Sequence, residues 1–335
     1  MNNPESRRIS VLGGGSWGTA LAIQIARAGH DITLWDISPE HIKAMQETRC
    51  NQQYLPDILL PPSLKLSAEL ESTLRQANTL LLAIPSHAMR GFLKKNKPWI
   101  RPEQHIVWAT KGLEENTAKP VHQVVAEELP ECKYTAVVSG PTFAGEVARG
   151  LPTAVAVASH SHRIAEQVAG FLHSDHFRVY TSEDITGVEL GGSLKNVLAI
   201  AAGIADGLGF GSNTRAALIT RGLAEMLRLG LAMGAQTETF MGLAGLGDLV
   251  LTCTDNQSRN RRMGLALADG LSIEQARGQI GQAVEGVKTA REAWYLAQQY
   301  KVDMPIIEQT YKVLYENKSP ADAVKDLLGR EAKPE

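Results

Sequence analysis

Apolar and polar positions change rhythm once along this chain. Up to about residue 185, short apolar runs alternate with stretches of helical periodicity. The runs at 9–12, 32–35, 64–66, 79–84, 105–109, 135–138, 153–158 and 177–180 read as strands. Helical patterns at 16–28, 39–48, 87–95, 118–129 and 161–172 separate most of them. Strands that alternate with helices predict an α/β fold with a doubly wound, mainly parallel sheet covered on both faces. Beyond residue 185, β-branched runs become rare and helical periodicity dominates: 193–206, 213–233, 237–242, 259–268, 273–280, 286–299, 304–316 and 319–328. A Rossmann-type first domain over 1–190 and an all-α second domain over 191–335 follow from this change. No internal repeat or low-complexity tract interrupts either half.

The first strand runs directly into Gly13-Gly14-Gly15-Ser16-Trp17-Gly18. This is G-x-G-x-x-G between a strand and a helix, the context that gives the motif its meaning. Gly13 permits the tight turn, Gly15 lets backbone approach a pyrophosphate, and Gly18 brings helix and strand together. The helix start offers N–H groups and the positive end of its dipole to phosphate. A second strand follows and ends in an acid, Asp36. Its carboxylate is placed to accept from an adenosine ribose hydroxyl, and it repels a 2′-phosphate. These residues imply a dinucleotide, and the Asp36-Ile37 pair favours one with an unphosphorylated adenosine ribose: NAD use at least as good as NADP use, should the cofactor be a nicotinamide one.

At 335 residues and 44% hydrophobic composition, the chain can bury two ordinary cores. Its formal net charge of −2 gives no global field to attract nucleic acid or an anionic membrane. The polar opening MNNPESRR lacks the apolar segment of a secretory signal. No run of about 18 apolar residues predicts a spanning helix, and the apolar stretch 197–205 reads as a core helix. The last residues, 330–335, read as frayed. Three widely spaced cysteines, Cys50, Cys132 and Cys253, form no metal or redox motif and suit a reducing cytoplasm.

Ligands of such sheets sit beyond the carboxyl ends of the strands, so those positions are the candidates. After 79–84 come Pro85-Ser86-His87; His87 could be catalytic, but a loop or helix-start residue near the surface is the better reading. After 105–109 comes Lys111, a point charge with three donors for an anionic or oxyanionic group, or a solvated side chain. After 135–138 come Gly140, which allows close approach, Pro141, and Thr142 with a hydroxyl. In the helical half, Lys195 and Asn196 stand among Leu190, Leu194, Val197 and Leu198. A lysine facing an apolar interior is costly unless paired or functional, and desolvation moves its pKa towards neutrality, where proton transfer is efficient. Asp248 follows a glycine-rich bend among apolar neighbours and is a natural counter-ion for Lys195. Ser258-Arg259-Asn260 combine a cap, a bidentate cation and an amide, in proportion to one small phosphate.

These segments together resemble the bacterial NAD(P)-dependent glycerol-3-phosphate dehydrogenases over essentially the whole chain. The resemblance rests on GGGSWGTALA, ATKGLE, SGPTFAGEVARGLPTA, ELGGSLKNVLAIAAGIADGLGFG, TRGLAEM, GLAGLGDLVLTCTDNQSRNRR and the EG at 285–286. It implies cofactor contacts from Ser16, Trp17, Lys111, Ala144, Arg259 and Glu285. It implies substrate contacts from Lys111, Gly140, Thr142, Lys195, Asp248, Ser258, Arg259 and Asn260. Lys195 takes the place of the family's proton donor and acceptor, with Lys111 and Asp248 beside it in the catalytic group. The implied reaction is reversible hydride transfer between nicotinamide and dihydroxyacetone phosphate, giving glycerol 3-phosphate for phospholipid synthesis by a cytoplasmic homodimer. Members that favour NADP tend to carry a basic or polar residue where this chain has Asp36-Ile37. A β-hydroxyacid dehydrogenase and a non-catalytic nicotinamide-sensing module are the competing readings.

Overall fold

The computed structural model describes residues 8–330. Residues 1–7 and 331–335, which hold most of the polar opening and most of the tail read as frayed, lie outside the described residues. The chain divides into two compact units. One runs through Thr110 and resumes over Val121–Val188; the other comprises Lys111–Pro120 and everything from Glu189 onward.

The first unit is built on β1 (Arg8–Leu12), β2 (Asp31–Trp35), a small hairpin of β3 (Cys50–Asn51) and β4 (Leu55–Leu59), then β5 (Lys65–Ser67), β6 (Thr79–Leu82), β7 (His105–Trp108), β8 (Thr135–Ser139), β9 (Thr153–Ala158) and β10 (Phe177–Ser182). Eight of these form one sheet in the order β10-β9-β8-β7-β6-β1-β2-β5. All neighbours are parallel except β8 and β9. The order reverses beside β1, where the glycine loop leaves the sheet. β6 and β7 are buried at every position, as strands covered on both faces must be. The helix Ser16–Arg27 is buried from Gly18 through Ala26, so it is a core element and not a half-exposed one.

The expected strands are present within one or two residues of their expected ends. Periodicity does not mark several further elements. The β3–β4 hairpin pairs only a few residues, carries Pro56, and holds Asp57 at φ +64°, so it lacks the alternation that marks a strand. The helix Leu70–Gln76 buries only Thr73 and Leu74. The helix Ala144–Arg149 is too short to show a period.

The second unit is helical. Its central helix, Ile185–Gly207, begins eight residues before the expected start at 193. Gly191 and Gly192 read as a break, yet a Cβ at Gly191 would lie 2.3 Å from the Ala244 carbonyl oxygen, so glycine there permits backbone packing. By length and composition this helix could cross a membrane, but its apolar window is wholly buried inside the protein, as in the core of a globular unit. Gly203 and Gly264 do the same for the helix Arg259–Ala268: added Cβ atoms would meet the carbonyl oxygens of Arg261 and Ile200 at 2.1 Å. That close crossing sets Asn196 and Asn260 side by side.

One buried carboxylate in this unit is structural. Glu225 accepts from the backbone N–H groups of Ile306 (2.7 Å) and Ile307 (3.1 Å), at the start of the helix Pro305–Tyr315. Burial pushes its carboxyl up to about 7, against the pull of the two amides. A folded-state pKa above the ordinary value means the folded protein holds the proton more tightly. This contribution to stability is therefore fully present below about pH 4.5 and lost as pH rises through about 7. Glu225→Gln is expected to flatten this part of the profile. Relative to the parent, its Tm should rise by several degrees from pH 5 to pH 8, and a pH-independent difference would contradict the assignment.

Candidate functional site

In the first unit the glycine loop leaves β1 with Gly13 at φ +117°, a conformation that L side chains rarely adopt. A Cβ there would meet the Ala83 carbonyl oxygen at 2.7 Å, and one on Gly18 would meet the Gly13 oxygen at 2.0 Å. Gly15 differs: nothing lies within 4 Å of an added Cβ. Two glycines are thus required by packing, and the third borders open space at the start of a twelve-residue helix that no side chain caps. That is the shape a dinucleotide pyrophosphate needs. Ser16 donates its hydroxyl to the Tyr54 carbonyl at 2.7 Å, and Trp17 packs against the core.

Asp36, expected to face a ribose, is already engaged with the backbone. Its Oδ2 accepts the Gly14 N–H at 2.8 Å and its Oδ1 accepts the Ser38 N–H at 3.0 Å. Each carboxylate oxygen has a further lone pair, so a ribose hydroxyl can still be accepted. The neighbouring Ile37 is 82% exposed.

At the end of β8, Gly140 has φ +150° and lies against the backbone of Val155, while Thr142 donates to the Gly140 carbonyl at 3.0 Å. Ala144 opens the short helix after it. His87 is exposed at the start of the helix Ser86–Asn96.

The helical unit brings three charged groups to one point. Asp248 is fully buried, and Lys195 is only 6% exposed. Lys195 Nζ donates to Asp248 Oδ1 and, at 3.0 Å, to the Thr252 hydroxyl. Lys111 Nζ donates to Asp248 Oδ2 at 2.8 Å. Lys111 follows β7 in sequence but belongs to this unit. One carboxylate therefore bridges two ammonium groups, and the cluster has a net positive charge when both lysines are protonated. Desolvation, with Lys111 acting in the same direction and Asp248 opposing both, lowers the Lys195 pKa to about 7. A lysine so poised exchanges a proton near neutrality.

The local fold explains this placement. A π-turn over Leu243–Gly247 leads into the helix Asp248–Thr254, and it puts Asp248 at the first helical position and Thr252 one turn later. Sequence reasoning missed Thr252, although the spacing of four was visible. The segment that carries Lys111 is held by Glu115, which accepts from Lys288 and Arg291, each at 2.9 Å. Glu115 was not singled out either.

A second group borders the same helices. Ser258 caps the helix Arg259–Ala268 by accepting from the Arg261 N–H. Asn260 donates to Asn196 Oδ1 and accepts from the Gly286 N–H, both at 2.9 Å. Asn260 thus ties three helices together and keeps one amide hydrogen for a ligand. Arg259 donates to Gln282 at 3.3 Å. Burial pulls its guanidinium pKa down, and the Glu285 carboxylate opposes that.

Residues 8–165 match the N-terminal family model of NAD-dependent glycerol-3-phosphate dehydrogenase, and residues 184–325 match the C-terminal one. A glycerol-3-phosphate dehydrogenase (NAD(P)+) of Thioalkalivibrio sulfidiphilus is 57% identical over 327 residues, 98% of both chains. One of Serratia proteamaculans is 53% identical, over 99% of this chain and 98% of its own. The crystal structure of a glycerol-3-phosphate dehydrogenase from Coxiella burnetii superposes with a TM-score of 0.93 at 47% identity. It covers 98% of this chain and 100% of its own.

Proposed function

The chain belongs to the NAD-dependent glycerol-3-phosphate dehydrogenase family, and on that premise we propose that it interconverts dihydroxyacetone phosphate and glycerol 3-phosphate with NAD(P). The observation that carries the reading is Lys195: a buried amine held by Asp248 and poised to exchange a proton near pH 7. When bound, the nicotinamide supplies or takes up the hydride at the substrate's C2. The protein's own groups do the rest. The substrate oxygen gains negative charge as its carbon accepts hydride, and the ammonium groups of Lys195 and Lys111 stabilise it. Lys195 then delivers its proton to that oxygen, and in the reverse direction its neutral amine removes the proton from the hydroxyl. Asp248 keeps the two lysines together and fixes the direction of the Lys195 Nζ. Arg259 and the remaining amide hydrogen of Asn260, at the helix start capped by Ser258, are suited to the phosphate. Gly140 and Thr142 add a close backbone approach and a hydroxyl oxygen that can accept from a substrate hydroxyl.

The cofactor assignment places Gly13, Gly15 and Gly18 at the pyrophosphate, with Ser16, Trp17, Asp36 and Ala144 nearby in the first unit. Lys111, Arg259 and Glu285 act from the helical unit. Domain roles follow the expected division, with 1–190 for the dinucleotide and 191–335 for the substrate, except that Lys111–Pro120 goes with the helical unit. The protein works as a homodimer in the cytoplasm, and its product serves glycerophospholipid synthesis. The decisive assay follows oxidation of NADH and of NADPH by dihydroxyacetone phosphate. Turnover with this substrate is expected, and its absence with both cofactors overturns the reading. Because the Asp36 carboxylate repels a 2′-phosphate, kcat/KM with NADH is expected to equal or exceed that with NADPH. A strong NADPH preference would refute the role given to Asp36.

A further inference from the structure

The glycine loop is gripped at both backbone groups of one residue, Gly14, which belong to two successive peptide groups. Asp36 accepts the Gly14 N–H, while Asn51 Nδ2 donates to the Gly14 carbonyl at 2.8 Å and to Thr19 Oγ1 at 2.8 Å. Asn51 is 0% exposed and stands in β3 of the hairpin that the sheet does not need. Its Oδ1 accepts the Tyr54 N–H at 3.1 Å and lies 3.0 Å from His41 Nε2. An amide oxygen only accepts, so Nε2 carries a proton, and Nδ1 attracts the Asp36 carboxylate when it carries one as well. The other ring nitrogen, Nδ1, lies 3.5 Å from Asp36 Oδ1. Asp36, Gly14, Asn51 and His41 thus close a ring of polar contacts. A second tie runs from the Ser16 hydroxyl to the Tyr54 carbonyl.

Three consecutive glycines have more backbone freedom than any other tripeptide, and ordering them on binding would reduce affinity. If the Gly14–Gly15 peptide flipped, the Gly14 carbonyl would turn away from Asn51; if the Gly13–Gly14 peptide flipped, the Gly14 N–H would turn away from Asp36. A carbonyl turned towards the open flank of Gly15 would repel a phosphate there. The ring prevents this before any ligand arrives.

We propose that Asn51 and His41 are positioning residues for the dinucleotide, holding the backbone on both sides of Gly14 so that the loop is already in its pyrophosphate-receiving form. The proposal rests on reading Gly13–Gly18 as the dinucleotide loop. Neither residue touches the cofactor in this role; both act through Gly14.

The test is direct titration of NADH into purified full-length variants, followed by fluorescence, with steady-state kinetics beside it. Asn51→Asp keeps the shape and both acceptors but replaces the amide donor with an oxygen facing the Gly14 carbonyl. Its Kd for NADH is expected to rise about 10-fold, the loss of one buried hydrogen bond. Its kcat at saturating NADH and its KM for dihydroxyacetone phosphate are expected to stay within about twofold, since the proton-transfer group is untouched. His41→Gln keeps an amide donor for Asn51 and loses the nitrogen beside Asp36; a smaller rise of about threefold is expected. Gly15→Val tests the loop itself, because its side chain would fill the open flank. If Gly15→Val binds NADH normally, the loop reading fails. If Gly15→Val loses NADH while Asn51→Asp binds it as the parent does, only the present proposal fails. A drop in kcat at saturating NADH as large as the loss of affinity also overturns it, since that marks a general disturbance. Should Asn51→Asp not fold, His41→Gln decides by the same readout.

Discussion

Lys195→Ala is expected to lower kcat about 10³-fold in both directions, within the range that one general acid–base group contributes, while NADH binds as before. The expectation follows from where the amine stands. It is buried, its pKa is drawn down to about 7 chiefly by desolvation, and it is aimed by Asp248 and Thr252. Reduction of dihydroxyacetone phosphate needs the ammonium form, so parent kcat in that direction should fall as pH rises through about 7. Oxidation of glycerol 3-phosphate needs the neutral amine, so kcat in that direction should rise across the same pH range. Both limbs should vanish in Lys195→Ala. Near-normal turnover in that variant would move proton transfer to Lys111, whose Nζ hydrogen-bonds to the same carboxylate. The controls are NADH titration and thermal unfolding, which separate loss of chemistry from loss of fold.

Much of this site was legible because its residues break local rules. The loop Gly13–Gly18 is legible through its spacing between a strand and a helix: Gly13 takes a positive φ against Ala83, Gly18 packs on Gly13, and Gly15 borders open space. Lys195 is legible for the opposite reason: a charge among leucines and valines contradicts its surroundings, and function is the common explanation. Asp248 could be suspected as its partner on the same grounds. What the sequence hid is long-range or irregular. Nothing in the run after β7 shows that Lys111 leaves the sheet-bearing unit; Glu115 holds that segment to Lys288 and Arg291, about 175 positions away. The β3–β4 hairpin is invisible because it carries almost no period, yet it supplies Asn51 and Tyr54 to the glycine loop. The early start of the helix Ile185–Gly207 was masked by Gly191 and Gly192. Glycine lowers helix propensity locally, and only the packed partner, the Ala244 carbonyl, shows why it is there. Local rules report local demands, so the elements that failed to show are those whose cause lies elsewhere in the fold.

Asp248→Asn is expected to have the second-largest effect, and of a different kind. Asp248 is wholly buried and accepts from two lysines. An amide of the same size leaves two buried ammonium groups facing each other without a counter-charge. Breaking a buried ion pair in this way costs about 3–5 kcal/mol, so the variant should unfold several degrees below the parent. Its chemistry should change in a diagnostic direction. Asp248 holds the Lys195 pKa up against burial and against Lys111. Without it the amine is neutral over more of the pH range, and the midpoints of both pH–rate limbs should move to more acid values. The maximum kcat should also fall, by about 10²-fold, because Lys195 loses the group that orients it. A variant with lower kcat but unmoved midpoints would show that Asp248 orients Lys195 without tuning it. A variant with parental stability and parental midpoints would mean that the two lysines are not charged together in the folded protein, and the electrostatic role given to Lys111 would have to be withdrawn.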